Sequence, residues 1–264
     1  VIGPDLVDEL NFDASELGLL TSSYFLAFAL FQLPLGILLD RYGPRRTEAS
    51  LLIVASAGMF IFASAESLSG LLIGRALIGL GVSACLMAAL KAYGMWFDKD
   101  RIPMVNGLHM AAGGFGALMG TIPIEYALQI TDWRGILIGI GAIALTASIT
   151  IFFIVPKARG SETSTDSLRS QVSALSQIYK SPVFWRIVPI CVATQSAFLS
   201  IQTLWVGPWL SDVAGLSRAA VSNHLFLIAC AMVAGFIGIG SIATRLGKMG
   251  VSTMTFAITC MGLF

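Results

Sequence analysis

The sequence has few charged side chains for its length. Only 12% of its 264 residues are Asp, Glu, Lys or Arg, whereas a soluble domain has about 25%. Hydrophobic residues make up 56% of the chain, and the mean hydropathy is +0.83. So few charges could not cover a surface in contact with water, which excludes a soluble enzyme and a disordered chain. The composition therefore predicts an integral membrane protein.

Signatures of catalysis, metal binding and nucleic-acid binding are also missing. The 16 basic and 15 acidic residues leave a net charge of only +1, without the basic stripe of a nucleic-acid-binding protein. The four cysteines lie in apolar runs without a CxxC pair, so neither a metal site nor a redox site is indicated. No GxxxxGK[ST] phosphate loop or nucleophile pattern occurs. We therefore expect no enzyme activity and no cofactor.

Long apolar runs recur along the whole chain. A helix needs about 20 apolar residues to cross a bilayer, and strands of a membrane barrel would be shorter and alternating. Seven such runs lie at residues 15–39, 47–65, 69–92, 103–126, 133–155, 184–208 and 219–243, and an eighth begins near 250. Asp13 with Glu16 forms a capping-box pattern at the first run, and Ser217 precedes the seventh. The sequence thus predicts an all-α membrane protein with seven full spans and part of an eighth.

Basic residues lie mainly on one side of these spans. Twelve follow the odd-numbered runs: Arg41, Arg45, Arg46, Lys99, Arg101, Lys157, Arg159, Arg169, Lys180, Arg186, Arg245 and Lys248. Only Arg134 and Arg218 lie on the other side, and Arg75 and Lys91 lie within the third run. Because Lys and Arg accumulate in cytoplasmic loops, the connections at 40–47, 93–102, 156–183 and 244–249 are expected in the cytoplasm. The expected location is the plasma (cell inner) membrane.

An internal repeat indicates two parallel halves. Residues 36–43 (GILLDRYG) and 240–247 (GSIATRLG) are 204 positions apart and share Gly, Arg and Gly in register. The first and seventh runs therefore correspond, and the repeat unit has six helices, which preserves orientation. Two such units need twelve spans, so the chain is expected to be a fragment covering helices 2 to 9. The expected parts are an N-terminal half at 1–155, a cytoplasmic linker at 156–183 and a C-terminal half at 184–264.

Three short motifs in these spans resemble one family. The stretch GILLDRYGPRR at 36–46 is similar to the motif between helices two and three of the major facilitator superfamily. GRALIGLG at 74–81 resembles the fourth-helix motif of that family, and DWR at 132–134 is also similar. The resemblance implies a bundle of two parallel six-helix repeats. It further implies a secondary transporter that works by alternating access, with the substrate held between the halves near the middle of the membrane.

The first motif supplies the candidate gate. The resemblance implies a gate-like role on the cytoplasmic side for Gly36, Asp40, Arg41, Gly43 and Arg45, and the repeat adds Arg245. An acid and several bases at a helix end could tie neighbouring helices together and separate when the halves rock. The alternative reading of the arginines is membrane topology alone. Thr244 stands at the position equivalent to Asp40, which argues against a symmetric lock.

A second group of residues supplies candidates for substrate binding or coupling: Arg75, Lys91, Gln195, Gln202 and Trp205. Arg75 lies inside a span, where a charge is costly without a partner or a wet cavity. Lys91 either contacts substrate or extends to the membrane interface. The two glutamines lie seven residues apart on one helix face and form either a substrate surface or interhelical hydrogen bonds. His109 is either a proton carrier or a structural hydrogen-bond partner.

The expected function is gradient-driven transport of a small polar solute. Two bases on the fourth helix are compatible with an anion, and a proton or solute gradient is the expected driving force. The alternatives are a drug or metabolite exporter, or a membrane sensor that binds a solute without moving it. The expected partners are the solute, H⁺ and the lipid bilayer, with no nucleic acid, and the favoured oligomeric state is a monomer.

Overall fold

A computed structural model describes residues 13–120, 122–156, 177, 179–201 and 206–250. Every regular element among them is helical, which confirms the predicted all-α class. The main helices are α1 (Ala14–Ser64), α2 (Leu68–Val82), α3 (Cys85–Trp96), α4 (Ile102–Met119), α5 (Ile122–Ala127), α6 (Trp133–Ile154), α7 (Pro182–Ser200) and α8 (Arg218–Lys248). Short helical turns lie at Lys99–Arg101, Val206–Pro208 and Trp209–Val213. Gln202, Trp205, most of the linker and the partial eighth span lie outside the described residues.

Four of the described segments are long and apolar enough to cross a membrane. They are Gly18–Ser64, Leu68–Trp96, Trp133–Ile154 and Asn223–Gly247. The first of them has 47 residues and contains most of the first two predicted runs. The second contains a short interruption at Ser83 and Ala84, where the side chain of Gln32 donates to the Ser83 carbonyl at 3.3 Å. The protein is therefore an integral membrane protein with several long apolar helices.

Helix α1 bends sharply at Gly43. Its φ of 75° and ψ of 165° are the only non-helical backbone angles inside α1. Glycine adopts a positive φ without steric cost, and Pro44 suits the first turn of a new helix. The bend folds the chain back on itself, because the Thr47 hydroxyl donates to the Leu38 carbonyl at 3.1 Å across it. The predicted connection at 40–47 is thus nearly all helical, and α1 consists of two arms that meet at Gly43.

The predicted helix starts are confirmed at both ends of the repeat. The Asp13 carboxylate accepts from the Glu16 amide at 2.7 Å, and the Glu16 carboxylate accepts from the Asp13 amide at 2.9 Å. This reciprocal pair is a capping box, which satisfies two backbone donors at the helix start. Ser217 caps α8 by accepting from the Ala220 amide at 3.4 Å.

The second arm of α1 packs against α2 and α6 around a buried core. One cluster of this core consists of Leu20, Phe62, Leu71, Ile78 and Trp133. Two buried serines also join α1 to α6. The Ser56 hydroxyl donates to the Gly141 carbonyl at 2.8 Å, and the Ser148 hydroxyl donates to the Ala49 carbonyl at 2.6 Å. Interhelical hydrogen bonds of this kind replace the missing hydrophobic driving force within a bilayer.

Glycines bring α4 and α8 into close contact. A Cβ built on Gly107 would lie 2.5 Å from the carbonyl oxygen of Phe236 and 3.2 Å from the Cα of Gly240. Farther along α4, a Cβ on Gly114 would lie 2.6 Å from the Cγ2 of Val233. This crossing joins a helix of the predicted first half to a helix of the predicted second half. Gly107 and Gly114 of the fourth run therefore serve packing, whereas a Cβ built on Gly113 or Gly116 would have no atom within 4 Å.

Candidate functional site

Asp40 forms an ion pair with Lys91 at the end of the first arm of α1. The Lys91 Nζ lies 2.5 Å from the Asp40 Oδ1 and donates to the Leu39 carbonyl at 2.9 Å. The Lys91 side chain is 30% exposed and the Asp40 side chain 57% exposed. The acid of the motif is therefore held by a cation from α3. The structure brings together a predicted gate residue and a predicted substrate or coupling residue.

The arginines of the motif have different surroundings. The Arg45 Nη1 donates to the Val155 carbonyl at 3.2 Å, and its guanidinium lies 5.4 Å from the Phe152 ring centre. Val155 follows the last residue of α6, where backbone carbonyls have no partner within the helix. Arg41 is exposed and lies over the Tyr42 ring. The motif thus contacts α3 through Asp40 and the end of α6 through Arg45.

The two copies of the repeated motif have different environments. In the first copy, Gly36 is exposed, and a Cβ built on it would have no atom within 4 Å. In the second copy, Gly240 is buried against Gly107 of α4. Thr244 is buried and donates to the Gly240 carbonyl at 3.0 Å, and Arg245 is exposed. Thr244 occupies the position equivalent to Asp40. The second copy therefore has a buried hydroxyl there in place of the acid that forms the ion pair in the first copy.

Arg75 is half-buried on α2 and lacks a full set of partners. Its Nε atom is buried and has no hydrogen-bond partner among the described residues. The guanidinium carbon lies 5.4 Å from the Phe62 ring centre, and Tyr24 of α1 is an electrostatic neighbour. Glycine at position 79 lets α2 approach the Tyr24 backbone closely. The arrangement leaves a guanidinium donor inside a span, beside a tyrosine hydroxyl.

Gln195, the candidate on the sixth run that the structure describes, is separated from Arg75. Gln195 is exposed on α7, which does not pack extensively on α2. Helix packing therefore does not bring Gln195 and Arg75 together. Beyond α7, an apolar cavity of about 440 Å³ is lined by Ile201, Val206, Trp209, Leu210, His224 and Ile228.

The structure also reveals a cavity that sequence reasoning missed. It has a volume of about 310 Å³ and lies between the second arm of α1, α3, α4 and the end of α6. Glu48 and Cys85 line it, together with Tyr93 and His109, whose Oη and Nδ1 atoms lie 3.1 Å apart. The sequence feature that could have indicated this cavity is Glu48, an acid at the second position of an otherwise apolar run. His109 has a hydrogen-bond partner here, in line with the structural alternative.

Comparison with known proteins identifies related transporters. The family model described as Major Facilitator Superfamily matches residues 1–264. The chain is 31% identical to the uncharacterized transporter YybO of Bacillus subtilis, over 58% of this chain and 35% of YybO. It is 23% identical to the hexuronate transporter of Bacillus subtilis, over 99% of this chain and 64% of that protein. It is 26% identical to the nitrate/nitrite transporter NrtP of Picosynechococcus, over 57% of this chain and 33% of NrtP. The chain thus spans about one third to two thirds of the length of these relatives.

Proposed function

The chain belongs to the Major Facilitator Superfamily, and we propose that it is a secondary active transporter for a small anion. The family consists of membrane transporters and not of enzymes. The proposed mechanism is alternating access, with an ion or solute gradient as the energy source and H⁺ as the coupling ion. The proposed acting unit is a monomer in the plasma membrane.

The unpaired guanidinium Nε of Arg75 carries the proposal of an anionic substrate. A charged side chain inside a span costs free energy unless a counter-charge or water compensates it. The Arg75 Nε has no partner among the described residues, so a substrate carboxylate or oxyanion could accept its hydrogen bond. Charge-assisted bonds from arginine to such groups are among the strongest in proteins. The relatives named for hexuronate and for nitrate or nitrite move anions, which supports the same substrate class.

The Asp40–Lys91 pair supports a lock on the cytoplasmic side. It joins the end of the first arm of α1 to α3, while Arg45 joins the same region to the end of α6. Both helices belong to the proposed first half, so opening of this side would have to move α1 relative to α3. That movement would separate Asp40 from Lys91, and the pair would therefore stabilise one of the two transport states. Gly43 supports this role by placing the two arms of α1 side by side at the motif. We assign Arg41 and Arg245, which are exposed, to the cytoplasmic rim.

The numbering of the helices and the division of the chain into two halves are part of the same proposal. On the basis of the sequence repeat, we assign seven full spans and part of an eighth to helices 2 to 9 of a twelve-helix transporter. Residues 1–155 and 184–264 would belong to the two halves, joined by a cytoplasmic linker at 156–183. The close α4–α8 crossing supports this division, because it lies where one half would meet the other. We assign Gln195, Gln202 and Trp205 to the second-half wall of the substrate path.

Uptake by proteoliposomes tests the proposed function. The full-length protein would be assayed with labelled glucuronate, galactonate and nitrate, with neutral glucose as the comparison, with and without an inward proton gradient. We expect uptake of at least one anion, no uptake of glucose, and faster uptake with the gradient. Binding without uptake would favour the sensor, and gradient-driven export would favour the exporter.

Arg75→Ala tests the assigned binding residue in the same vesicles. Loss of a hydrogen bond to a charged group costs about 1.5–3 kcal/mol, or about 10- to 150-fold in affinity. We expect KM for the anion to rise by a factor in this range. Arg101→Ala, at an exposed position on the short helical turn, is the matched control and should leave KM unchanged. A wild-type KM for Arg75→Ala would show that Arg75 does not bind the substrate.

A further inference from the structure

The cavity beside the cytoplasmic motif contains a titratable group that the substrate site does not use. Its volume is about 310 Å³, and its lining includes Arg45, Glu48, Tyr93 and His109. Arg75, which is assigned to the anion, and its neighbour Tyr24 do not line it. The cavity lies next to Pro44 and Trp96, close to the connections that the charge distribution places in the cytoplasm. It is therefore a separate, mainly apolar cavity within the first half, with a few polar side chains in its lining.

The Glu48 carboxyl has the environment of a neutral acid in this structure. Its Oε2 atom is buried without a hydrogen-bond partner among the described residues. Cys85 lines the same cavity as the carboxyl and contributes a neutral thiol to its surroundings. A buried carboxylate is stable only when a cation and several hydrogen bonds compensate its charge. A protonated carboxyl needs far less, so the surroundings suit the acid form.

Among the described residues, no cation forms an ion pair with Glu48. Arg45 lies three residues before it on the same helix face, but its Nη1 is bonded to the Val155 carbonyl. Helix α3 contributes Cys85 and Tyr93, α4 contributes His109, and α6 contributes the apolar Ile151 and Val155. Tyr93 and His109 are hydrogen-bonded to each other. Arg75, the basic residue of α2, does not line the cavity.

We propose that Glu48 carries the coupled proton in transport, an inference that rests on the proposed transport function. In the state described here, Arg45 binds the end of α6 and Glu48 keeps its proton. When the cytoplasmic side opens, Arg45 leaves the Val155 carbonyl and pairs with Glu48. The O–H bond of Glu48 then breaks, its electrons stay on the carboxylate, and the proton passes to cytoplasmic water. The return of Arg45 to Val155 requires Glu48 to bind a new proton, which the inward gradient supplies from the outer side.

Two transport modes of the full-length protein separate proton coupling from substrate binding. Glu48→Gln should abolish proton-driven accumulation of the anion, because the amide cannot release a proton. It should retain exchange of labelled for unlabelled anion at equal pH on both sides, and this exchange should no longer depend on pH. Glu66→Gln, the same chemical change at an exposed position between α1 and α2, should behave as wild type in both modes.

Accumulation by Glu48→Gln at the wild-type level would overturn the proposal. A wild-type protein that carries the anion without any proton movement would also overturn it, while the proposed transport function would stand. If wild-type protein carries no anion at all, the proposed function itself fails. Loss of both accumulation and exchange in Glu48→Gln would mean a structural role and would count against proton carriage.

Carbodiimide labelling tests the protonation of Glu48 without transport. Hydrophobic carbodiimides add to protonated carboxyl groups in apolar surroundings, so we expect an adduct on Glu48 by peptide mass spectrometry. The adduct should decrease as pH rises. Absence of a Glu48 adduct at low pH in folded wild-type protein would contradict the proposal.

Discussion

Replacement of Gly107 by alanine would place a methyl group between α4 and α8. The new Cβ would lie 2.5 Å from the Phe236 carbonyl oxygen and 3.2 Å from the Gly240 Cα. Both are backbone atoms, so a change of side-chain rotamer cannot move them. Ordinary contact needs about 3.5 Å, and the two helices would have to separate by about 1 Å. We therefore expect Gly107→Ala to weaken the crossing of α4 and α8.

The size of this effect is best measured against a second glycine of the same helix. Gly113 is exposed, and a Cβ built there has no atom within 4 Å. Alanine is favoured over glycine in a helix interior by about 1 kcal/mol at both positions, so this contribution cancels in the comparison. Excess volume in a well-packed contact costs about 1–3 kcal/mol. Gly107→Ala should therefore be less stable than Gly113→Ala by about 1–3 kcal/mol.

Thermal unfolding in detergent measures the difference between the two variants. One kcal/mol corresponds to about 2–4 °C in the melting temperature of a protein of 150–250 residues, and a somewhat smaller shift is expected for a longer chain. Gly113→Ala should melt at or above the wild-type temperature, and Gly107→Ala several degrees lower. Equal melting temperatures for the two variants would refute the close α4–α8 crossing.

Two other contacts make separate predictions. Ser148→Ala should destabilise the protein by about 1 kcal/mol, because the buried bond to α1 is lost. The control is Ser64→Ala, which should change the melting temperature little because the Ser64 hydroxyl bonds within its own helix. Equal shifts of the melting temperature in the two variants would contradict this reasoning. Asp40→Lys or Lys91→Asp alone should impair transport through like-charge repulsion, and the double exchange should restore much of it. Failure of the double exchange to recover any transport would show that the pair is not a lock.

Local sequence signals predicted the class of the protein and several details of its helices. The apolar runs, the capping box at Asp13 and the cap at Ser217 all depend on residues within a few positions of one another. The burial of Arg75 within a span also follows from its place in an apolar run. Such features follow from sequence because hydrophobic transfer and backbone hydrogen bonding act within each segment.

The partners of the charged residues could not be predicted in this way. The sequence placed Lys91 either at the interface or at the substrate, and only the structure shows its contact with Asp40, 51 residues away. The exact position of the first turn between helices could not be predicted from the sequence either. A connection was predicted at 40–47, whereas the chain turns at the single residue Gly43. These contacts depend on how each helix is rotated toward its neighbours.

The amino-acid sequence by itself thus determined a helical membrane protein, its family resemblance and the charge that favours an anion. The tertiary structure alone decided that Arg45 binds the end of α6 and that Gly107 touches Gly240. It also decided that Glu48 lines a cavity without an ion-pair partner among the described residues. The reason is physical. Transfer of a segment into a bilayer depends on its own composition, whereas the pairing of polar groups and glycines depends on the depth and rotation of helices that are distant in sequence.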